Sequence, residues 1–167
     1  MLILGIDTAI RCTGYGLVSY GAGSVKIIDC GVIKNKPSAS HSECLRRIGG
    51  GIRELAENFK PEAAAIESAF YFKNVKTSMI LSYARGAIML VLAEKSIPVF
   101  AYAPRKAKMA VCGNGASSKT AVASILASIL GIDTREIPLD STDAIAIAMC
   151  HGQMAGSPGS EYILKQL

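Results

Sequence analysis

Four acidic residues stand at positions where a charged side chain needs a partner. Asp7 and Glu67 each end a short apolar run that reads as a buried strand. Asp140 and Asp143 lie three residues apart at the start of an apolar helix, so both side chains project from the same side of its first turn. A carboxylate at the end of a buried strand is costly unless it is paired or binds a cation. If the strands are neighbours and the helix covers their ends, all four carboxylates converge.

Such a set of oxygen ligands, without His or Cys, suits a hard cation such as Mg²⁺. Two such cations roughly 3.5–4 Å apart can activate a water and stabilise the leaving oxygen of a phosphodiester. Simpler roles are open for the paired aspartates. Asp140 could be a helix N-cap, and Asp143 could complement the helix dipole.

The net charge of +5 is concentrated in the middle of the chain. Residues 70–120 carry a charge of +7, and the rest of the chain carries −2. This distribution favours a polyanionic partner such as nucleic acid, although a solvated Lys-rich surface has the same composition. The basic residues of the segment are Lys73, Lys76, Arg85, Lys95, Arg105, Lys106, Lys108 and Lys119.

Composition excludes several classes of protein. The five cysteines are widely spaced with no C-x-x-C pair, which indicates inert thiols and neither a disulfide framework nor a zinc site. No secretory signal is visible at the N-terminus. The apolar run Met79–Ala93 contains Arg85 and is shorter than the roughly 20 residues of a membrane span. We therefore expect a cytoplasmic protein without a membrane partner.

The apolar pattern predicts an α/β fold, with a five-stranded mixed sheet and helices on both faces. Residues 1–155 form the predicted domain, and residues 156–167 form a C-terminal tail. Three glycines at 49–51 interrupt the first helix and predict either a close-packed neighbour or a break. The predicted strands span 2–8, 14–20, 25–33, 63–67 and 98–102, and the helices span 41–59, 76–96, a short basic stretch after 102, 119–130 and about 141–154.

Four motifs occur in order along the chain: Ile3-Leu4-Gly5-Ile6-Asp7 with Arg11 and Thr13-Gly14-Tyr15-Gly16; Ala65-Ile66-Glu67 with Phe70 and Lys73-Asn74; Ala84-Arg85-Gly86; and Asp140-Ser141-Thr142-Asp143-Ala144-Ile145-Ala146-Ile147-Ala148. In this order and spacing they resemble the RuvC-type Holliday-junction resolvases of bacteria. The likeness runs from Leu2 to about His151 in one register.

The resemblance implies an RNase H-like fold that works as a homodimer on four-way DNA junctions in recombination and repair. It implies paired, symmetric, Mg²⁺-dependent nicks that leave 5′-phosphate and 3′-hydroxyl ends, with branch-migration helicase components as partners. On the matched positions the metal ligands and catalytic residues are Asp7, Glu67, Asp140 and Asp143. Two Mg²⁺ ions are expected in each site, and Mn²⁺ is a candidate substitute.

The resemblance also assigns contacts with DNA. Lys108 and Lys119 match basic residues that bind phosphates near the cut, and Phe70 matches an aromatic that stacks at the crossover. An exposed aromatic beside Lys73 suits base stacking, worth roughly 1–3 kcal/mol per base, although a buried loop anchor is the alternative for Phe70. Lys76 and Arg85 complete the predicted contacts. The apolar helix 76–96 is a candidate for part of the dimer interface.

The chain departs from the family pattern beside the first aspartate. Thr8 and Ala9 replace the usual Pro and Gly, and Ile10 replaces a small polar residue. The departure changes the turn without removing Asp7.

Three other functions match parts of the sequence. The segment Gly113–Thr120 nearly reads as a phosphate-binding P-loop, but Ser118 replaces its second glycine and no strand directly precedes it. Asp7-Thr8-Ala9 with Thr13-Gly14 resembles the first phosphate loop of actin-like kinases, which share the core fold but need a second domain. A catalytically silent junction-binding protein would need only the basic segment and Phe70.

Overall fold

The computed structural model describes residues 1–21, 24–68, 75–131, 138–157 and 166–167. The predicted elements are all found in these ranges, with ends that differ by one or two residues. In chain order they are β1 Leu2–Asp7, β2 Cys12–Gly21, β3 Ser24–Lys34, α1 His41–Phe59, β4 Ala63–Glu67, α2 Val75–Glu94, β5 Val99–Tyr102, α3 Pro104–Cys112, α4 Lys119–Leu130 and α5 Leu139–Ala155.

The sheet places the first two predicted acids side by side. Its strand order is β3-β2-β1-β4-β5, in which β1, β2 and β3 form an antiparallel meander. Strands β4 and β5 are parallel to β1 and to each other. Because Ile6 pairs with Ile66, the two strands end together, and Asp7 and Glu67 share one edge of the sheet.

Two apolar layers sandwich this sheet, which confirms the predicted architecture. Alternate side chains of the strands point to opposite faces. One layer joins α1 and α2 to the sheet through Leu4, Ile6, Leu17, Ile48, Ile52, Ile66, Ile88 and Leu92, all fully buried. The other joins α3, α4 and α5 to the opposite face through Ile3, Val18, Ala65, Val111, Leu126 and Ile145.

Helix α5 lies directly on the backbone of β1 and β2. A Cβ atom added at Gly5 would lie 1.9 Å from the Ala144 carbonyl oxygen, and one added at Gly14 would lie 1.9 Å from the Asp140 carbonyl oxygen. Both distances are far below van der Waals contact, so only glycine permits this approach. The close packing fixes the N-terminal turn of α5 beside the end of β1.

The glycine run in α1 does not break the helix. A capping box starts α1, in which the Ser40 side chain accepts from the Glu43 amide and the Glu43 carboxylate accepts from the Ser40 amide. A Cβ at Gly51 would lie 2.7 Å from Ile33, whereas one at Gly50 would meet nothing within 4 Å. Of the two predicted explanations, the close-packed neighbour is therefore correct, at Gly51.

Helix α2 is longer than the apolar run measured in the sequence. With 20 residues and a mean hydropathy of 1.3 over its most apolar window, it is long and apolar enough to cross a membrane. However, Ala84, Ile88 and Leu92 are fully buried in the layer beneath the sheet. Only 22% of that window is buried, and the length and composition of a single such helix are weak evidence for a membrane span.

Candidate functional site

Three elements bring the four predicted carboxylates to one end of the sheet. Asp7 is the last residue of β1 and Glu67 is the last residue of β4. Their side chains are close enough to share a hydrogen bond. Asp140 and Asp143 come from the first turns of α5, whose N-cap position is Pro138 without a side-chain cap. The alternative role of Asp140 as an N-cap is therefore wrong.

Asp7 lies within electrostatic range of the other three acids, Asp143, Glu67 and Asp140. Burial first, and then the nearby charges of Asp143 and Glu67, raise the pKa of Asp7 to about 7. Burial and then the charge of Asp143 also raise the pKa of Glu67. The site thus holds more negative charge than it stabilises by itself, and a bound cation would relieve this repulsion.

Two of the carboxylates have partners within the chain. The Lys119 Nζ lies 2.6 Å from Asp143 Oδ2, and this hydrogen bond is the main cause that raises the pKa of Lys119. The Cys12 thiol donates to Asp140 Oδ2 over 2.9 Å. Burial, followed by this hydrogen bond, raises the pKa of Cys12 to about 11, so the thiol stays protonated.

The donor set fits a hard divalent cation. Its four members are carboxylates on a partly buried surface, which is the chemistry that Mg²⁺ selects. Among the described residues, no three His, Cys, Asp or Glu side chains already stand close enough together to hold a metal ion. The Lys119 contact occupies one of the two carboxylate oxygens of Asp143.

The unusual turn after Asp7 leaves that residue in place. The Thr13 hydroxyl donates to the Ala9 carbonyl over 2.6 Å, and the Asn35 side-chain amide donates to the Ile10 carbonyl over 2.8 Å. Asp7 keeps its register opposite Gly14. The buried Thr8 hydroxyl has no hydrogen-bond partner within the described part of the chain.

The predicted DNA contacts lie in different settings. The Arg85 guanidinium is half-buried and donates to the Glu67 carbonyl, at the edge of the carboxylate site. Lys108 donates to the Ser117 carbonyl over 2.8 Å, and Lys76 is exposed in the first turn of α2. Phe70 and Lys73 lie outside the described residues.

The glycine-rich segment is not a P-loop. It connects α3 to α4, with Gly113 as the C-cap of one helix and Ser118 as the N-cap of the next. A P-loop instead follows a β-strand. The loop here serves to start α4 where Lys119 can reach Asp143.

Comparison with known proteins identifies the family. The model of the family "Crossover junction endodeoxyribonuclease RuvC" matches residues 3–151. The RuvC endonuclease of Chlorobaculum parvum is 41% identical over 150 residues, covering 90% of this chain and 80% of that protein. That of Pelotomaculum thermopropionicum is 36% identical over 151 residues, covering 90% of this chain and 92% of that protein.

Solved structures agree with the sequence match. RuvC of T. thermophilus in complex with a Holliday junction substrate superposes with a TM-score of 0.88 at 32% identity, covering 100% of this chain and 99% of that one. The yeast mitochondrial Holliday junction resolvase has a TM-score of 0.62 at 16% identity, covering 90% and 78%, and shares the fold. The predicted RNase H-like fold is confirmed, and the chain belongs to the RuvC family of crossover junction endodeoxyribonucleases.

Proposed function

We propose that this chain resolves four-way DNA junctions by paired, symmetric nicks that leave 5′-phosphate and 3′-hydroxyl ends, in homologous recombination and DNA repair. The observation that carries the proposal is the convergence of Asp7, Glu67, Asp140 and Asp143 from β1, β4 and α5. The family match supports the endonuclease activity. The actin-like alternative loses its support, because the chain matches this family over residues 3–151.

The same four carboxylates would hold divalent metal, with two Mg²⁺ ions in each site and Mn²⁺ as a candidate substitute. Bound metal would supply Lewis-acid activation of water and stabilisation of the leaving 3′ oxygen. The chain fixes the ligands by different means: strand pairing holds Asp7 and Glu67, and the contact of α5 with Gly14 holds Asp140. Cys12 further orients Asp140 by its hydrogen bond.

Basic residues around this edge would bind the phosphates of the cut strand. Lys119 begins α4 at the carboxylate site, and Lys108 lies on α3 with its ammonium on the loop that leads to α4. Phosphate contacts of this kind make affinity fall steeply with salt. Lys76 on the exposed start of α2 extends the basic surface, while Phe70 and Lys73 stay predicted contacts.

Arg85 has a second role in this proposal. Its guanidinium contacts the backbone of Glu67 rather than standing free in solvent. A cation at that position fixes the end of β4 and offsets the charge of Glu67. Its contact with DNA stays a prediction.

We also propose a homodimer whose interface includes α2. Val75, Met79, Tyr83 and Leu90 are 71%, 51%, 47% and 61% exposed, and their spacing places them along one side of the helix. An apolar stripe of this kind is typical of a protein-binding surface. Two cuts related by a two-fold axis require two sites, which a second copy of this chain on a two-fold axis provides.

In this proposal, residues 1–155 form the nuclease unit and act in the cytoplasm, with branch-migration helicase components as partners. Residues 156–167 form the predicted tail. Within it, the Leu167 amide donates to the Val99 carbonyl, so the described end of the chain pairs with the outer edge of β5.

Cleavage of a synthetic four-way junction tests the proposal. The junction and a linear duplex of the same sequence are incubated with protein in Mg²⁺ and in EDTA. We expect nicks on the junction but not on the duplex, and only in Mg²⁺. Asp7→Asn should make no nicks but should still bind the junction. Binding without nicking by the wild-type chain would instead support the silent junction-binding protein.

A further inference from the structure

Among the described residues, Lys119 forms an ion pair with one carboxylate of the site, that of Asp143. Lys119 is the first residue of α4, and Ser118 before it caps the helix by accepting from the Ala121 amide. The cap fixes where the Lys119 side chain starts. From there its ammonium reaches Asp143 Oδ2 on α5, over 2.6 Å.

This ion pair occupies one oxygen of a carboxylate that the proposed function assigns to metal. An ammonium is a compact positive charge that donates but cannot accept hydrogen bonds. Placed on Asp143, it neutralises part of the negative charge that Asp7, Glu67 and Asp143 bring together. A divalent ion at the same carboxylate would meet both competition for the oxygen and repulsion from the ammonium.

Lys108 provides a contrast within the same region. Its ammonium donates to the Ser117 carbonyl over 2.8 Å, which is a neutral acceptor on the loop before α4. Loss of Lys108 therefore removes one positive charge and a predicted phosphate contact, but frees no carboxylate. The two lysines therefore differ in their acceptor: Lys119 contacts a carboxylate of the site, and Lys108 contacts a neutral carbonyl.

We propose that Lys119 is the counter-ion of the metal-free site: it holds Asp143 until a divalent cation displaces it, and the released ammonium then binds a DNA phosphate. The inference rests on the proposed function, since it places metal at the four carboxylates. It makes metal binding and DNA binding cooperative, because one side chain leaves the acid and joins the phosphate in a single exchange.

The size of the effect follows from the exposure of the pair. Lys119 is 59% exposed and Asp143 is 21% exposed at the side chain. Ion pairs near the surface are weak, so their loss should change metal affinity by about two- to five-fold. The Lys119→Met variant should thus bind metal about two- to five-fold more tightly than the wild type when DNA is absent.

Titration of the full-length, DNA-free protein with Mn²⁺, followed by electron paramagnetic resonance of the free ion, measures this directly. We expect tighter binding in Lys119→Met and unchanged binding in Lys108→Met, which removes the same charge. Unchanged or weaker Mn²⁺ binding in Lys119→Met would overturn the inference while leaving the metal site intact. Absence of Mn²⁺ binding in both wild type and Lys119→Met would overturn the metal site and the inference together.

Junction binding tests the second half of the exchange. The affinity for a four-way junction is measured in EDTA and in Ca²⁺, which replaces Mg²⁺ to limit cleavage. Lys119→Met should lose little affinity in EDTA, where Asp143 holds the ammonium, and more in Ca²⁺, where the wild-type ammonium is free. An equal loss under both conditions would contradict the proposed exchange.

Discussion

The approach of α5 to the sheet makes Gly14 a sensitive test of how the carboxylates are positioned. In Gly14→Ala, the new methyl group would lie 1.9 Å from the Asp140 carbonyl oxygen and 2.6 Å from its carbonyl carbon. Ordinary contact begins near 3.4 Å, so the start of α5 must move by about 1.5 Å. The atoms in the way are backbone, which cannot rotate aside as a side chain can.

Two measurements should respond to this displacement. Misplacing a catalytic group by about 1 Å can cost on the order of 100-fold in rate, and we expect at least that loss in junction cleavage. Overpacking typically costs about 1–3 kcal/mol, which corresponds to a Tm lower by roughly 2–12 °C in a domain of this size. Junction binding should change little, because the predicted phosphate contacts lie on other elements.

The matched control is Gly50→Ala. Gly50 is exposed in α1, and its new methyl group meets nothing within 4 Å. Alanine is favoured over glycine in a helix by about 1 kcal/mol, so this variant should be slightly more stable and cleave normally. Wild-type cleavage and Tm in Gly14→Ala would refute the argument that this contact positions the acids.

Further predictions concern charge, pH and assembly. Asp7→Asn should raise the Tm by a few degrees at pH 8 in EDTA, because the pKa of about 7 shows that the folded protein disfavours the ionised carboxylate; an unchanged or lower Tm would contradict this. Burial lowers the pKa of His151, so its stabilising contribution is present above pH 6.5 and is lost as the pH falls, by up to about 1.4 kcal/mol per pH unit. Urea unfolding at pH 7.5 and 5.5 should show a smaller loss in His151→Gln than in the wild type, and an equal loss would contradict the assignment. Leu90→Glu should convert the dimer to a monomer in sedimentation velocity, whereas Lys26→Glu on the distant β3 should not; a wild-type monomer would contradict the dimer.

Local apolar patterns in the sequence predict much of the fold. The apolar runs of the β1 to β3 segments and the helical periodicity of α1 predict their elements to within one or two residues. Asp7 and Glu67 could be placed together because each ends a buried run, and the ends of neighbouring parallel strands meet at one edge. The three-residue spacing of Asp140 and Asp143 predicts that both side chains project from the same side of α5.

The contacts that complete the site depend on distant parts of the chain. The isolation of Cys12 in the sequence predicts an inert thiol, yet this thiol donates a hydrogen bond to Asp140, 128 positions away. The hydrogen bond between Tyr102 and His151, 2.7 Å long, is likewise visible only after folding. The sequence does carry one signal of this packing: Gly14 and Gly16 are two residues apart on one face of β2, and such spacing indicates the close approach of another backbone.

The most direct test of the account is cleavage of a supercoiled plasmid that extrudes a cruciform. Two symmetric cuts made across the junction in one binding event convert the plasmid to a linear form, whereas single cuts give nicked circles. We expect linear product in Mg²⁺ and none in EDTA or with Asp143→Asn. Nicked circles alone, or equal cleavage of a plasmid without the cruciform, would contradict resolution of four-way junctions by paired nicks.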